Sequence, residues 1–90
     1  MNSEDLFVPT LKTFENNNVF TGSLGLFRYK ITPIIVMATP KEVDLEQSTI
    51  RAEYWHGLYS YENSEIEGER VFSIQTEGYL EMLQWLKDHI

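Results

Sequence analysis

His56 is the side chain of this sequence best suited to catalysis, because an imidazole exchanges protons near neutral pH. A nucleophilic site would need a serine or cysteine beside it, and a metal site would need further ligands at a compact spacing. The chain contains no cysteine, and His89, its other histidine, stands at the end of a predicted helix. We therefore predict no catalytic residue, no metal site and no bound cofactor.

Four glutamates in one short segment are the other candidates for chemistry. Glu62, Glu65, Glu67 and Glu69 could offer oxygens to a hard cation such as calcium. Their positions around Gly68 do not follow the ligand spacing of an EF-hand loop. A solvated, charged loop is the preferred interpretation.

The segment 21–25, Thr-Gly-Ser-Leu-Gly, could in principle hold an anion on its backbone amides. No lysine follows its second glycine, no Gly-x-Gly-x-x-Gly pattern is present, and the segment precedes a predicted strand and not a helix. We interpret it as a tight turn.

Aromatic side chains gather around Gly57, and such residues are common at binding hot spots. Trp55 falls on the polar face of a predicted strand, so its ring should stay exposed unless something covers it. The candidate binding residues are therefore Trp55, His56, Tyr59, Tyr61, Glu62, Glu65 and Glu67.

The formal net charge of −7 is concentrated in one segment of the chain. Between positions 42 and 69, Arg51 is the single basic residue among eight acidic ones, which are Glu42, Asp44, Glu46, Glu53, Glu62, Glu65, Glu67 and Glu69. We expect one part of the molecule to carry a negative field, which disfavours direct binding of nucleic acid and permits a basic protein partner.

Alternation of apolar and polar residues predicts a small antiparallel sheet. A strand over residues 26–32 and a second around Ile50, Ala52 and Tyr54 follow from the period of two, with a short third strand over residues 70–75. If the first two strands pair, Arg28 and Lys30 share the outer face with Glu53.

Helical spacing predicts a cover for the sheet. Thr76 is a plausible N-cap for a C-terminal helix whose apolar residues are Tyr79, Met82, Leu83, Leu86 and Ile90. An N-terminal helix with Ser3 as N-cap is less clearly marked, since Pro9 would interrupt it. The expected fold is α+β, with three or more antiparallel strands packed against the C-terminal helix, in one domain over residues 1–90.

The longest apolar run, residues 34–38, is too short to cross a bilayer, and the acidic first residues do not resemble a signal peptide. With no cysteine to form disulfides, the expected compartment is the cytoplasm and no membrane contact is predicted.

Several of these features occur in an order that resembles short, uncharacterised bacterial single-domain proteins. The order comprises Thr21-Gly22-Ser23 before the strand Phe27-Arg28-Tyr29-Lys30-Ile31, then Trp55-His56-Gly57, then a terminal helix with Glu77-Gly78 and Trp85-Leu86. The resemblance implies a fold and no particular activity.

Taken together, these patterns favour a small non-catalytic binding or interaction module that self-associates as a homodimer. The reasons are the missing catalytic constellation, the small size without disulfides, and the position of Trp55 on a polar face. The alternative is an acidic inhibitor or nucleic-acid mimic, in which the carboxylates occupy a basic groove of a target protein.

Overall fold

The computed structural model describes residues 6–58 and 60–90 and confirms an α+β fold. Its elements are α1 (Leu11–Glu15), β1 (Phe20–Leu24), β2 (Phe27–Ile34), β3 (Met37–Thr39), β4 (Glu42–Val43), β5 (Thr49–His56), a single 3-10 turn (Tyr61–Asn63), β6 (Gly68–Ser73) and α2 (Thr76–Lys87).

Four antiparallel strands form the main sheet in the order β1-β2-β5-β6. Strand β1 was not predicted, because its sequence, Phe-Thr-Gly-Ser-Leu, carries a glycine that is typical of turns. The turn itself lies at Gly25 and Leu26, where Gly25 has a φ of 62°. Strands β3 and β4 form a separate two-stranded hairpin.

The inner face of the sheet carries the core beneath α2, as the sequence predicted. Its buried side chains, with those of the two helices, are Phe14, Phe27, Tyr29, Ile31, Ile50, Ala52, Phe72, Ile74, Met82 and Leu86. The predicted cap differs by one residue: Gln75 is the N-cap of α2, and it makes no side-chain capping hydrogen bond. Ile90, predicted as apolar packing, lies beyond the helix and is exposed.

Two glycines on the edge strands make room for two tyrosines on the central ones. Gly22, Tyr29, Tyr54 and Gly68 stand in one row across the sheet. A Cβ atom at Gly22 would lie 2.6 Å from the Tyr29 ring, and one at Gly68 would lie 2.2 Å from the Tyr54 ring. Any larger residue at either position would displace a ring of the inner face.

The segment before α1 is held by tyrosine hydroxyls. The Tyr29 hydroxyl donates to the Phe7 carbonyl, and the Tyr79 hydroxyl donates to the Pro9 carbonyl at 2.6 Å. Helix α1 begins after Pro9, consistent with the predicted interruption, whereas the suggested Ser3 cap lies outside the described residues. None of the described helices is long and apolar enough to cross a membrane.

Candidate binding site

The six described residues of the predicted binding site do not form one site. Trp55 and Tyr61 meet on the outer face of the sheet, and His56 pairs with Glu67 at its rim. Glu62 and Glu65 are exposed and make no hydrogen bond or ion pair with the rest of the described chain. Tyr59 lies outside the described residues.

Trp55 is buried, with 1% of its surface exposed, so the expectation of an exposed ring on a polar face is wrong. The segment after β5 folds back over the outer face and places Tyr61 against Trp55, with ring centroids 5.7 Å apart and an edge-on arrangement. A contact within the same chain therefore covers the ring that had suggested a dimer through this face.

Glu53 lies beneath the same cover and is 3% exposed. Its Oε2 accepts a hydrogen bond of 2.9 Å from the Tyr61 hydroxyl, and its Oε1 lies 3.4 Å from Nε of Arg51. The hydrogen bond to this carboxylate, followed by burial, raises the pKa of the Tyr61 hydroxyl above its ordinary value.

Arg28 and Lys30 lie on the outer face as predicted, but Arg51, and neither of these two, forms the ion pair with Glu53. Lys30 is the cross-strand neighbour of Glu53, yet its Nζ lies 3.9 Å from the centroid of the Tyr61 ring. Arg28 donates from Nε to the Gly57 carbonyl at 2.7 Å. This side of the sheet is therefore a second, polar layer of packing, and its charged groups are engaged in structure.

His56 and Glu67 form an oriented pair at the end of β5. Nδ1 of His56 lies 2.8 Å from Oε1 of Glu67, and the His56 backbone N–H donates to Oε2 at 2.7 Å. These bonds lower the pKa of Glu67. Both side chains are substantially exposed, and no three His, Asp or Glu side chains converge as metal ligands within residues 6–58 and 60–90.

The acidic segment is divided by the fold into two groups of carboxylates, and the expected negative field stays a prediction. Glu42, Asp44 and Glu46 precede β5, whereas Glu62, Glu65 and Glu67 follow it. Strand β5 has eight residues, which separates the two groups by roughly 25 Å at the usual rise of a strand. Glu53, between them, is buried.

Sequence reasoning missed a group of exposed apolar side chains on the β3–β4 hairpin with its flanking residues, 34–45, which we call the arm. Five of its aliphatic side chains are between 39% and 49% exposed, namely Ile34, Val36, Met37, Val43 and Leu45. Strand β4 comprises only Glu42 and Val43, which is too short to give a clear alternation in the sequence.

Hydrogen bonds at the base of the arm hold it in one orientation. The Val36 N–H donates to Oγ of the fully buried Ser48 at 2.9 Å, and the same Oγ donates to the Asp44 carbonyl at 2.7 Å. The Asp44 N–H donates to the Val36 carbonyl at 2.8 Å. The arm therefore presents its apolar residues on a preorganised frame, which lowers the entropic cost of binding.

No family model, curated protein or solved structure matches this chain. The resemblance to short bacterial proteins stays a prediction, and function is inferred from the residues of the chain itself.

Proposed function

We propose that this protein is a non-catalytic interaction module that forms a homodimer through the arm. The observation that carries the proposal is the paired, exposed Met37 and Val43, which are 49% and 39% exposed on a hairpin anchored by Ser48. Exposed aliphatic residues grouped on a rigid element are typical of protein contact surfaces.

The occupant we propose is a second copy of the chain. Met37 and Val43 are direct cross-strand partners, so their exposed aliphatic side chains lie side by side on the hairpin. Two arms can therefore meet about a two-fold axis with these aliphatic side chains in contact. With a net charge of −7, copies repel elsewhere, which favours association through uncharged side chains.

The arm is small, so the dimer should be in equilibrium with the monomer. A stable interface usually buries about 800 Å² on each partner, and weak or transient interfaces bury less. A hairpin of this size should bury an area typical of the weaker class. Burial of aliphatic surface is the proposed driving force, and raised salt should not weaken the dimer.

Sedimentation equilibrium over micromolar to millimolar concentrations tests the dimer. The parent protein should shift from monomer to dimer, and Val43→Lys should stay monomeric because two ammonium groups would meet in an apolar contact. Val71→Lys is the matched control, since Val71 is a strand valine that is 49% exposed on the main sheet, away from the arm. A monomeric parent, or equal behaviour of the two variants, contradicts the proposal.

The second candidate is the acidic inhibitor or nucleic-acid mimic, favoured by one observation: Glu62 and Glu65 are exposed and unpaired among the described residues. Glu67 is engaged by His56, so it adds less to such a surface. A mimic would bind a basic protein with an affinity that falls steeply as salt rises.

The absence of cysteine fits the cytoplasm, which we keep as the proposed compartment.

A further inference from the structure

An open cleft lies where the base of the arm meets both helices. Leu45 from the arm and Leu11 from α1 supply accessible apolar lining, the fully buried Ile74 lies behind them, and Glu15 and Glu77 line the same space of about 490 Å³. The cleft is distinct from the Met37–Val43 contact. Its lining combines aliphatic surface with carboxylates and contains no basic side chain.

The two carboxylates lack partners of their own. Neither Glu15 nor Glu77 forms an ion pair or hydrogen bond through its side chain within the described residues, although Lys12 lies three positions before Glu15. Glu77 is in the first turn of α2, where the helix dipole favours a negative charge. Glu15 is the last residue of α1, where the dipole gives no such advantage, and it is half-buried.

We infer that this cleft binds a cationic side chain, lysine or arginine, presented by a partner polypeptide. The aliphatic stem of such a side chain packs on Leu11 and Leu45, and its charged head reaches the carboxylates of Glu15 and Glu77. Both parts of the lining are then used, which a bare metal ion or a purely apolar ligand would not achieve. The overall charge of −7 adds a long-range attraction for a basic partner.

The test uses a blocked leucine–arginine–leucine tripeptide, and the same peptide with citrulline, the neutral analogue of arginine. Titration followed by amide chemical shifts should show saturable shifts at Glu15, Leu45 and Glu77 with the arginine peptide and weaker binding of the citrulline peptide. Glu15→Gln and Glu77→Gln should each weaken binding about twofold to fivefold, the size expected for a solvent-exposed ion pair.

Glu81→Gln is the matched control, because Glu81 lies one turn further along α2 and lines a different depression. It should bind the arginine peptide like the parent. Val43→Lys should also retain peptide binding, so a failure of the dimer and a failure of this site give different results. Equal binding of both peptides, shifts confined to other residues, or equal losses in Glu81→Gln and Glu15→Gln would overturn the inference.

Discussion

The two faces of the main sheet are covered to different extents and by different means: the outward residues of the edge strands are exposed, whereas Glu53 and Trp55 at the outer centre are buried. The inner face lies beneath the 12-residue α2, with Met82 and Leu86 fully buried in an apolar layer. The outer face lies beneath a three-residue 3-10 turn that brings Tyr61 onto Trp55 and the buried carboxylate of Glu53. The inner face is stabilised mainly by apolar burial, and the outer face combines an aromatic contact with a buried charge.

This difference shows how β5, in which apolar and polar residues alternate, can have buried side chains on both of its faces. The inner positions of β5 are buried by an amphipathic helix, as the pattern predicts. The outer positions Glu53 and Trp55 are buried because a polar segment returns over them. Burial of a carboxylate is costly unless hydrogen bonds compensate, so the outer cover depends on specific polar contacts.

The largest effects should come from removing one buried side chain on each face. Leu86→Ala should lower the free energy of unfolding by about 2–5 kcal/mol, and Trp55→Ala by about 3–5 kcal/mol, since each leaves a cavity. Urea denaturation measures both. Similar losses would show that the outer layer is as important to stability as the core.

Leu80→Ala is the control, because Leu80 is on α2 but 56% exposed, and its change should be within about 0.5 kcal/mol. If Trp55→Ala unfolds at the parent's urea concentration, the outer layer is not a stabilising layer. If Leu86→Ala does so, α2 is not a core helix.

An effect of intermediate size is expected from Glu53→Gln, and titration of the tyrosines measures it. The variant should change the pKa of a tyrosine on the outer face and leave the pKa of a tyrosine on the inner side unchanged. Glu53→Gln should lower the pKa of Tyr61 toward its ordinary value, because the hydrogen bond to the carboxylate is the main cause of the raised value. The pKa of Tyr79 is raised by burial alone and should not move. Carbon-13 NMR of the tyrosine rings resolves the two.

The same raised pKa has a consequence for stability at alkaline pH. Tyr61 contributes to the free energy of unfolding because its pKa is higher in the folded state. This contribution is fully present below the ordinary tyrosine pKa of 10.0 and is lost as pH rises through the higher pKa of the folded state. Glu53→Gln should therefore lose less stability than the parent over that alkaline range. An unchanged Tyr61 titration would contradict the assigned hydrogen bond.

The smallest effect should occur at the rim, where Glu67 binds His56 at the end of β5. Because the pKa of Glu67 is lowered in the folded state, its carboxylate contributes to the free energy of unfolding above its ordinary pKa of 4.5. This contribution is lost as pH falls through the lower pKa of the folded state. The melting temperature of Glu67→Gln should thus lie slightly below that of the parent near neutral pH and converge with it in acid.

Glu65→Gln serves as the control for this comparison, because Glu65 is exposed and has no partner in the described chain. It should melt like the parent at every pH. A constant difference between Glu67→Gln and the parent down to strongly acidic pH would mean that the carboxylate of Glu67 is not the stabilising group.

The sequence by itself determined the elements with a clear local period. The alternation of β2 and β5 and the helical spacing of Met82 and Leu86 predict which side chains enter the inner core, because those positions follow from backbone geometry. Strand β1 was not predicted because Gly22 indicates a turn when the sequence is read locally. Its glycine is required by the Tyr29 ring on the neighbouring strand, and local sequence does not report such a cross-strand contact.

Tertiary structure alone decided the outer layer and the exposed arm. Trp55 and Glu53 occupy positions that alternation assigns to solvent, and they are buried because the chain turns back with Tyr61, whose ring also meets Lys30 of the neighbouring strand. The arm is exposed for the complementary reason: its apolar residues belong to a hairpin separate from the main sheet and stay partly exposed. Local periodicity specifies which way a side chain points, whereas the path of the rest of the chain specifies what it meets there.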